Sequence, residues 1–215
     1  MTKWDIRAEM RAEERKFLQT PGAAGIASAA IIEAVEAAAE FQRANTVLCY
    51  MSIPGEVETH DAIERWYKAG KRVVLPLVSG DALVLKEYGP DKLQPGYRGI
   101  MEPCPEARTV PAGAIDLAII PGVAFTLDGS RMGRGKGFYD RLLPRLSCPK
   151  FGVCYPFRML PDLPTDPWDA PLDAVITAPA HVPVNSLEPE PETENPQVPT
   201  ACAVTSPDEI PNANE

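Results

Sequence analysis

The sequence predicts an α/β fold, built as three α/β/α layers around a mainly parallel sheet with room for one antiparallel hairpin. Two observations point there. Short apolar runs bounded by Gly and Pro alternate with helical stretches from the N-terminus to about residue 178. Two neighbouring runs, Arg72 to Val78 and Leu83 to Tyr88, are separated by little more than Gly80-Asp81, which suits a hairpin.

Taken in order, Thr2 and Asp5 have capping-box spacing, with Asp in place of the usual Glu or Gln, and open a helix from Lys3 to about Leu18. Lys3, Arg7, Arg11 and Arg15 recur every fourth residue on it. A solvated face paired with Glu9, Glu13 and Glu14 accounts for such a stripe. Pro21-Gly22 breaks the helix, and Ala23 to Arg43 follows as one alanine-rich helix with Ile26, Ile31, Val35 and Ala38 on its apolar stripe. Thr46 to Ser52 reads as a strand and Ile53-Pro54-Gly55 as a turn. Thr59 stands where it can cap a helix from His60 to Ala69, which Gly70 ends.

After the hairpin, Gly89 to Gly113 is a long Pro- and Gly-rich connection of lid-like character. Leu117 to Ile120 is a buried strand ended by Pro121-Gly122, and a later turn falls at Asp128-Gly129. A helix spans Phe138 to Leu146, and Phe151 to Tyr155 is a strand. Pro156 to Pro171 is irregular and holds Asp162, Asp166, Trp168 and Asp169. Ala174 to Thr177 is the last strand. Ligands of such sheets sit beyond the carboxyl ends of the strands, where the loops after Ser52, Ile120 and Tyr155 begin.

Charge divides the chain. The net charge is −9, yet all 21 Lys and Arg lie at or before Arg158. From Met159 onward there are 11 acids and no base. The sequence therefore predicts one catalytic-sized domain over 1–182 and an acidic, Pro-rich tail over 183–215 that cannot bury enough apolar surface to order itself. A near-neutral body with one positive focus argues against general nucleic-acid binding. No apolar run spans a bilayer, and the charged N-terminus is unlike a signal or transit peptide, so a cytoplasmic protein with no membrane partner is expected. The five cysteines are scattered without Cys-x-x-Cys spacing, and there are two histidines. Buried or idle thiols are expected rather than zinc or disulfides.

The positive focus is Arg131-Met132-Gly133-Arg134-Gly135-Lys136-Gly137-Phe138-Tyr139-Asp140. Glycines at every second position let a ligand approach the main chain. Arg131, Arg134 and Lys136 add charge, and a following helix start would add N–H donors. Together these make an anion site, best suited to a polyphosphate. It is neither a Walker A loop, because Lys136 precedes Gly137, nor a dinucleotide fingerprint, because Phe138 stands at the third glycine.

This stretch resembles the signature of the 5-formyltetrahydrofolate cyclo-ligases, also called methenyltetrahydrofolate synthetases. Further pieces occur in the family's order: Lys3-Trp4-Asp5-Ile6-Arg7, Tyr50-Met51-Ser52 with Gly55 to Thr59, Gly70 to Pro76, Asp116 to Gly122, and Trp168 to Asp173. The resemblance covers about 1–178. It implies ATP- and magnesium-dependent closure of 5-formyltetrahydrofolate to 5,10-methenyltetrahydrofolate through a phosphorylated formyl group, with reduced folate and ATP as partners; separately, a monomer is expected.

Carried over, the resemblance assigns ATP contacts to Lys3, Arg7, Arg131, Met132, Gly133, Arg134, Gly135, Lys136, Gly137, Phe138 and Tyr139. Arg134 and Lys136 would act on the transferred group. Met51 and Glu56 would contact the folate together with Arg134, Gly135, Lys136, Gly137 and Phe138. Asp140 and Asp169 would hold magnesium. From the residues alone, turn solvation also explains Glu56, and helix capping explains a single Asp. Three features depart from the family pattern. Trp168 stands where His or Asn is usual and is expected to wall the pocket, Met132 replaces a usual Leu, and the acidic tail has no counterpart. A nucleotide-binding regulatory protein that kept the loop but lost turnover, and another ATP-dependent amide- or carboxylate-activating enzyme, stay open as alternatives.

Overall fold

The computed structural model describes residues 1–96 and 100–178. The acidic tail expected at 183–215 lies outside the described residues, as do His181 and Cys202.

Helix α1 (Lys3–Leu18) opens with the capping box intact: the Thr2 hydroxyl accepts from the Asp5 amide at 3.2 Å, and the Asp5 carboxylate accepts from the Thr2 amide at 2.9 Å. The single alanine-rich helix expected next is two, α2 (Ala23–Ala37) and α3 (Ala39–Arg43). Ala38 between them is extended (φ −67°, ψ 138°), and the break lets Phe41 meet Trp66 at 5.0 Å between ring centroids. Alanine propensity is uniform through the segment, so tertiary packing alone chose the break.

Strand β1 (Thr46–Leu48) is shorter than expected, because only the Cys49 amide bonds onward to Val74 before the chain leaves the sheet. Helix α4 (His60–Lys68) follows, then β2 (Arg72–Ser79) and β3 (Ala82–Glu87), which pair antiparallel as the turn predicts. The long connection carries its own small hairpin, β4 (Leu93–Pro95) with β5 (Met101–Pro103). Strand β6 (Leu117–Ile120) leads into a second small hairpin, β7 (Ala124–Phe125) with β8 (Arg131–Met132). Helix α5 (Phe138–Leu142) is half the expected length. Pro144 lacks an N–H and its ring opposes a preceding carbonyl, so Leu143–Arg145 tightens to a 3-10 turn. Strands β9 (Lys150–Cys154) and β10 (Ala174–Thr177) complete the sheet.

The main sheet has the order β10-β9-β6-β1-β2-β3, parallel throughout except for the β2–β3 hairpin. Its central strands β1 and β6 are buried on both faces, which is why they read as continuous apolar runs. Val47, Val73, Leu117 and Ile119 face Ile31, Val35, Ile63 and Trp66 of α2 and α4. Leu48, Val74, Ala118 and Ile120 face Leu142, Leu143 and Leu146 on the other side. Each such aliphatic side chain contributes about 1.5–3 kcal/mol when fully buried. A third cluster packs Ile6 and Met10 of α1 against Val123, Ala124 and Met132, which fixes the first helix onto the β7–β8 hairpin.

Candidate active site

The carboxyl ends of β1, β6 and β9 open on one region, and the residues there come from four separated segments. The β7–β8 hairpin turns at Asp128-Gly129, where the Asp128 carboxylate accepts from the Ser130 amide at 3.2 Å and from the Thr126 hydroxyl. The hairpin then delivers Arg131, Met132 and the glycine loop. Gly135 (φ 97°) and Gly137 (φ 67°) hold left-handed backbone that other residues rarely adopt. A Cβ at Gly137 would also lie 2.8 Å from the Arg141 guanidinium.

Helix α1 reaches this loop because its apolar face is anchored on the hairpin. Arg7 Nε donates to the Gly133 carbonyl at 3.0 Å. Lys3 Nζ donates to Asp166 at 2.7 Å and to Asp169 at 2.6 Å. Burial alone would lower the Lys3 pKa, but these two carboxylates outweigh it and leave it raised. Asp169 is the mirror case: partial burial raises its pKa, and Lys3, the Asp166 amide and the Arg131 charge more than reverse this, so it ends below 3.8. Arg131, almost wholly buried, pairs with Asp140 at 2.5 Å and donates to the Pro121 carbonyl at 3.3 Å.

Lys3, Arg7, Arg131, Met132, Gly133, Gly135, Gly137, Asp140 and Asp169 all line one cavity of about 450 Å³. Nine of the residues singled out in the sequence therefore line the same cavity. Trp168 lines it too, as expected of a pocket wall. Arg141 and Asp166 also line it and were given no role from sequence. For Arg141 a signal existed: it lies four residues after Gly137, so the first turn of α5 points it back at the loop, where it donates to the Lys136 carbonyl at 3.0 Å. The short α5 offers little dipole. An anion there would meet the loop backbone and the cations of Lys3, Arg7, Arg131 and Arg141.

Asp140 and Asp169 could hold a hard divalent ion. Among the described residues no group of three or more His, Cys, Asp or Glu is gathered for a metal. That donor set fits an ion such as magnesium, which keeps water and phosphate oxygens and takes one or two carboxylates from the protein.

Met51, Glu56, Arg134, Lys136, Phe138 and Tyr139 do not line this cavity. Arg134 and Lys136 are exposed at the loop tip, and Phe138 and Tyr139 are partly covered behind it. Met51 packs against the large core cluster. Glu56 comes from the turn after β1, and its carboxylate meets Arg134 at 3.0 Å. Its other oxygen accepts from the Ile53 amide at 3.3 Å. Burial, then the nearby charges of Glu56 and Cys49, push the Tyr139 phenol well above its ordinary 10 despite Arg131, so it stays neutral.

Sequence reasoning missed how this turn is held. The Tyr155 hydroxyl donates to the Glu56 carbonyl at 2.9 Å and shares a 2.9 Å hydrogen bond with Ser28, which accepts from the Glu58 amide. Thr59 does not cap α4 with its side chain. It donates instead to the Tyr50 carbonyl at 2.6 Å, tying the turn to the end of β1. Cys49, Cys148 and Cys154 are buried, and burial pushes the Cys49 and Cys154 thiols up to about 12, so they are inert as expected.

A parallel sheet whose strand ends carry a glycine-and-cation cradle defines an α/β enzyme working at the carboxyl edge of its sheet. The chain belongs to the 5-formyltetrahydrofolate cyclo-ligase family, whose model matches residues 1–178. It is 37% identical over 142 residues to the 5-formyltetrahydrofolate cyclo-ligase of Escherichia coli K12, covering 62% of this chain and 78% of that protein. It is 34% identical over 158 residues to the probable 5-formyltetrahydrofolate cyclo-ligase of Schizosaccharomyces pombe, covering 64% and 77%. Among solved structures it is similar to the Aquifex aeolicus 5,10-methenyltetrahydrofolate synthetase, with a TM-score of 0.70, 34% identity and coverage of 82% and 90%. It is also similar to that of Mycoplasma pneumoniae, with a TM-score of 0.67, 26% identity and coverage of 82% and 99%.

Proposed function

We propose that the protein converts 5-formyltetrahydrofolate to 5,10-methenyltetrahydrofolate with Mg-ATP, releasing ADP and phosphate. The observation that carries this reading is the junction of an anion cradle with a second loop that offers a carboxylate, joined through Arg134 and Glu56. A formamide oxygen is a poor leaving group. Its attack on the γ-phosphate forms a P–O bond to the formyl oxygen and breaks the bond to ADP. The neighbouring folate amine then attacks the formyl carbon and gives up its proton, and the C–O bond breaks so that phosphate leaves carrying that proton. The first step needs alignment and charge neutralisation more than covalent help from the protein.

In this reading Lys3 and Arg7 turn from their present partners to ATP phosphates. The loop from Arg131 to Tyr139 cradles the triphosphate, and Arg134 and Lys136 neutralise the group in transfer. Asp140 and Asp169 would hold magnesium, which would screen the phosphate charge. Glu56 accepts from N–H donors of the pterin edge and Met51 supplies apolar contact. The Tyr139 phenol, kept neutral, can offer a hydrogen bond and takes no part in proton transfer. We further propose one catalytic domain over 1–182, a dispensable 183–215, a monomer, and a cytoplasmic setting. Among the described residues no helix is long and apolar enough to cross a membrane.

The test is direct. Purified protein receives 5-formyltetrahydrofolate, ATP and magnesium, and the near-ultraviolet absorbance of the methenyl product is followed. Product that depends on ATP and magnesium is expected. Its absence with fully folded protein would sink the proposal.

A further inference from the structure

The two loops that bring the proposed substrates together touch in two places. The outer contact is Arg134 with Glu56. Arg134 is 55% exposed, and in the reading above it turns to the group in transfer while Glu56 turns to the pterin. Phosphate draws Arg134 away and folate occupies Glu56, so this contact cannot persist through the reaction.

The inner contact is of another kind. Arg158 ends the 3-10 turn Pro156–Arg158 that follows β9, and it is 3% exposed. One guanidinium nitrogen donates to the Val123 carbonyl at 2.9 Å. The other donates to the Gly55 carbonyl at 2.8 Å and to Glu14 of α1 at 2.6 Å. Gly55 precedes Glu56. Val123 begins the hairpin, and its amide donates to the Met132 carbonyl at 2.7 Å, one residue before the glycine loop. Arg158 therefore closes a ring that runs through Gly55, Glu56, Arg134, Gly133, Met132 and Val123. Gly55 is shaped for this: its φ is 87°, and a Cβ there would strike the Glu14 carboxylate.

We infer that Arg158 is a positioning residue, holding the Glu56 turn in register with the glycine loop once the substrates have opened the Arg134–Glu56 pair. It touches neither substrate. A planar fork with several fixed donors can span a carboxylate and two carbonyls at once, whereas a lysine ammonium is a point charge on a flexible stem. The inference rests on the folate reading of the Glu56 turn.

The test compares Arg158→Lys and Glu14→Gln with the wild-type enzyme, reading KM for each substrate, kcat and melting temperature. Arg158→Lys is expected to raise the folate KM about tenfold while the ATP KM stays within about threefold. Glu14→Gln keeps both carbonyl bonds, so it should lower the melting temperature without separating the two KM values. An unchanged folate KM in Arg158→Lys overturns the inference. So does a parallel rise of both KM values that Glu14→Gln reproduces, since that is loss of stability alone. If Arg158→Lys does not fold, hydrogen exchange of the wild-type enzyme decides. The Glu56 amide, which donates to the Ile53 carbonyl at 3.0 Å, should stay protected when ATP and magnesium are added without folate, and loss of that protection overturns the inference. Absence of wild-type turnover would instead defeat the functional reading and this inference together. Normal wild-type turnover with an unshifted variant defeats this inference only.

Discussion

The glycine loop and the Glu56 turn face one another, yet they are built in opposite ways. The loop is a dense local signal: three glycines and three cations within seven residues, from Arg131 to Gly137. Its extra charge comes from Lys3 and Arg7, more than a hundred residues away, because Ile6 and Met10 seat α1 on the hairpin. The turn has little local signal. It is shaped by buried neutral hydrogen bonds from Tyr155, Ser28 and Thr59 and by the buried Arg158. Charge collected at the surface suits a ligand that brings its own strong charge. A rigid, mostly uncharged frame suits one that must be oriented by shape and a few hydrogen bonds.

The sharpest way to break this contrast is at Lys136. Lys136→Ala should lower kcat by ~10²–10³-fold while folate binding is kept, because one electrostatic group aimed at moving charge is commonly worth that much. Single-turnover kinetics would show it. A variant that turns over normally would remove Lys136 from the chemistry.

Asp140 offers a second break, with an effect in stability as well as rate. It is the ion-pair partner of the buried Arg131, so Asp140→Ala removes the nearest counter-charge and should cost about 3 kcal/mol. Denaturant unfolding measures this, and an unchanged midpoint would mean that Arg131 is satisfied by Pro121 alone.

How legible each region was follows from the same contrast. The Gly133–Gly137 loop, the capping box and the β2–β3 hairpin rest on short-range spacing, and all appear where spacing puts them. The break at Ala38 and the Thr59 bond to Tyr50 were invisible, since each is decided by a distant partner. The α5 truncation was readable, for Pro144 stood in the expected helix. Lys3 and Arg7 could be singled out from a four-residue stripe only through the family resemblance, and the structure separates them physically: they line the cavity, whereas Arg11 and Arg15 do not. Nothing local marked Arg158 or Ser28, because their function lies entirely in what they touch.

The Lys3–Asp169 pair sharpens the comparison through pH. The Asp169 pKa is depressed, so its contribution to stability is present above about 4 and is lost as pH falls through the lowered value. The Lys3 pKa is raised, so its contribution is full below 10.5 and is lost only above that, at the raised value. Between these limits the pair should give flat stability. Asp169→Asn should therefore weaken the acid limb of a stability-versus-pH profile, and an acid limb identical to wild type would contradict the pairing.

The smallest effect is expected at the chain end. Removing 183–215 should leave melting temperature and both KM values nearly unchanged, since the segment has no base to pair and no apolar periodicity. A large rise in the folate KM on truncation would show that it docks on the body.

The claim that two differently built loops serve two different substrates is tested most directly by calorimetry on Glu56→Gln. ATP affinity should match wild type, while 5-formyltetrahydrofolate affinity should fall roughly tenfold, the scale of one lost charge-assisted hydrogen bond. Loss of ATP binding with folate affinity intact would contradict the assignment of the glycine loop to phosphate and of the Glu56 turn to folate.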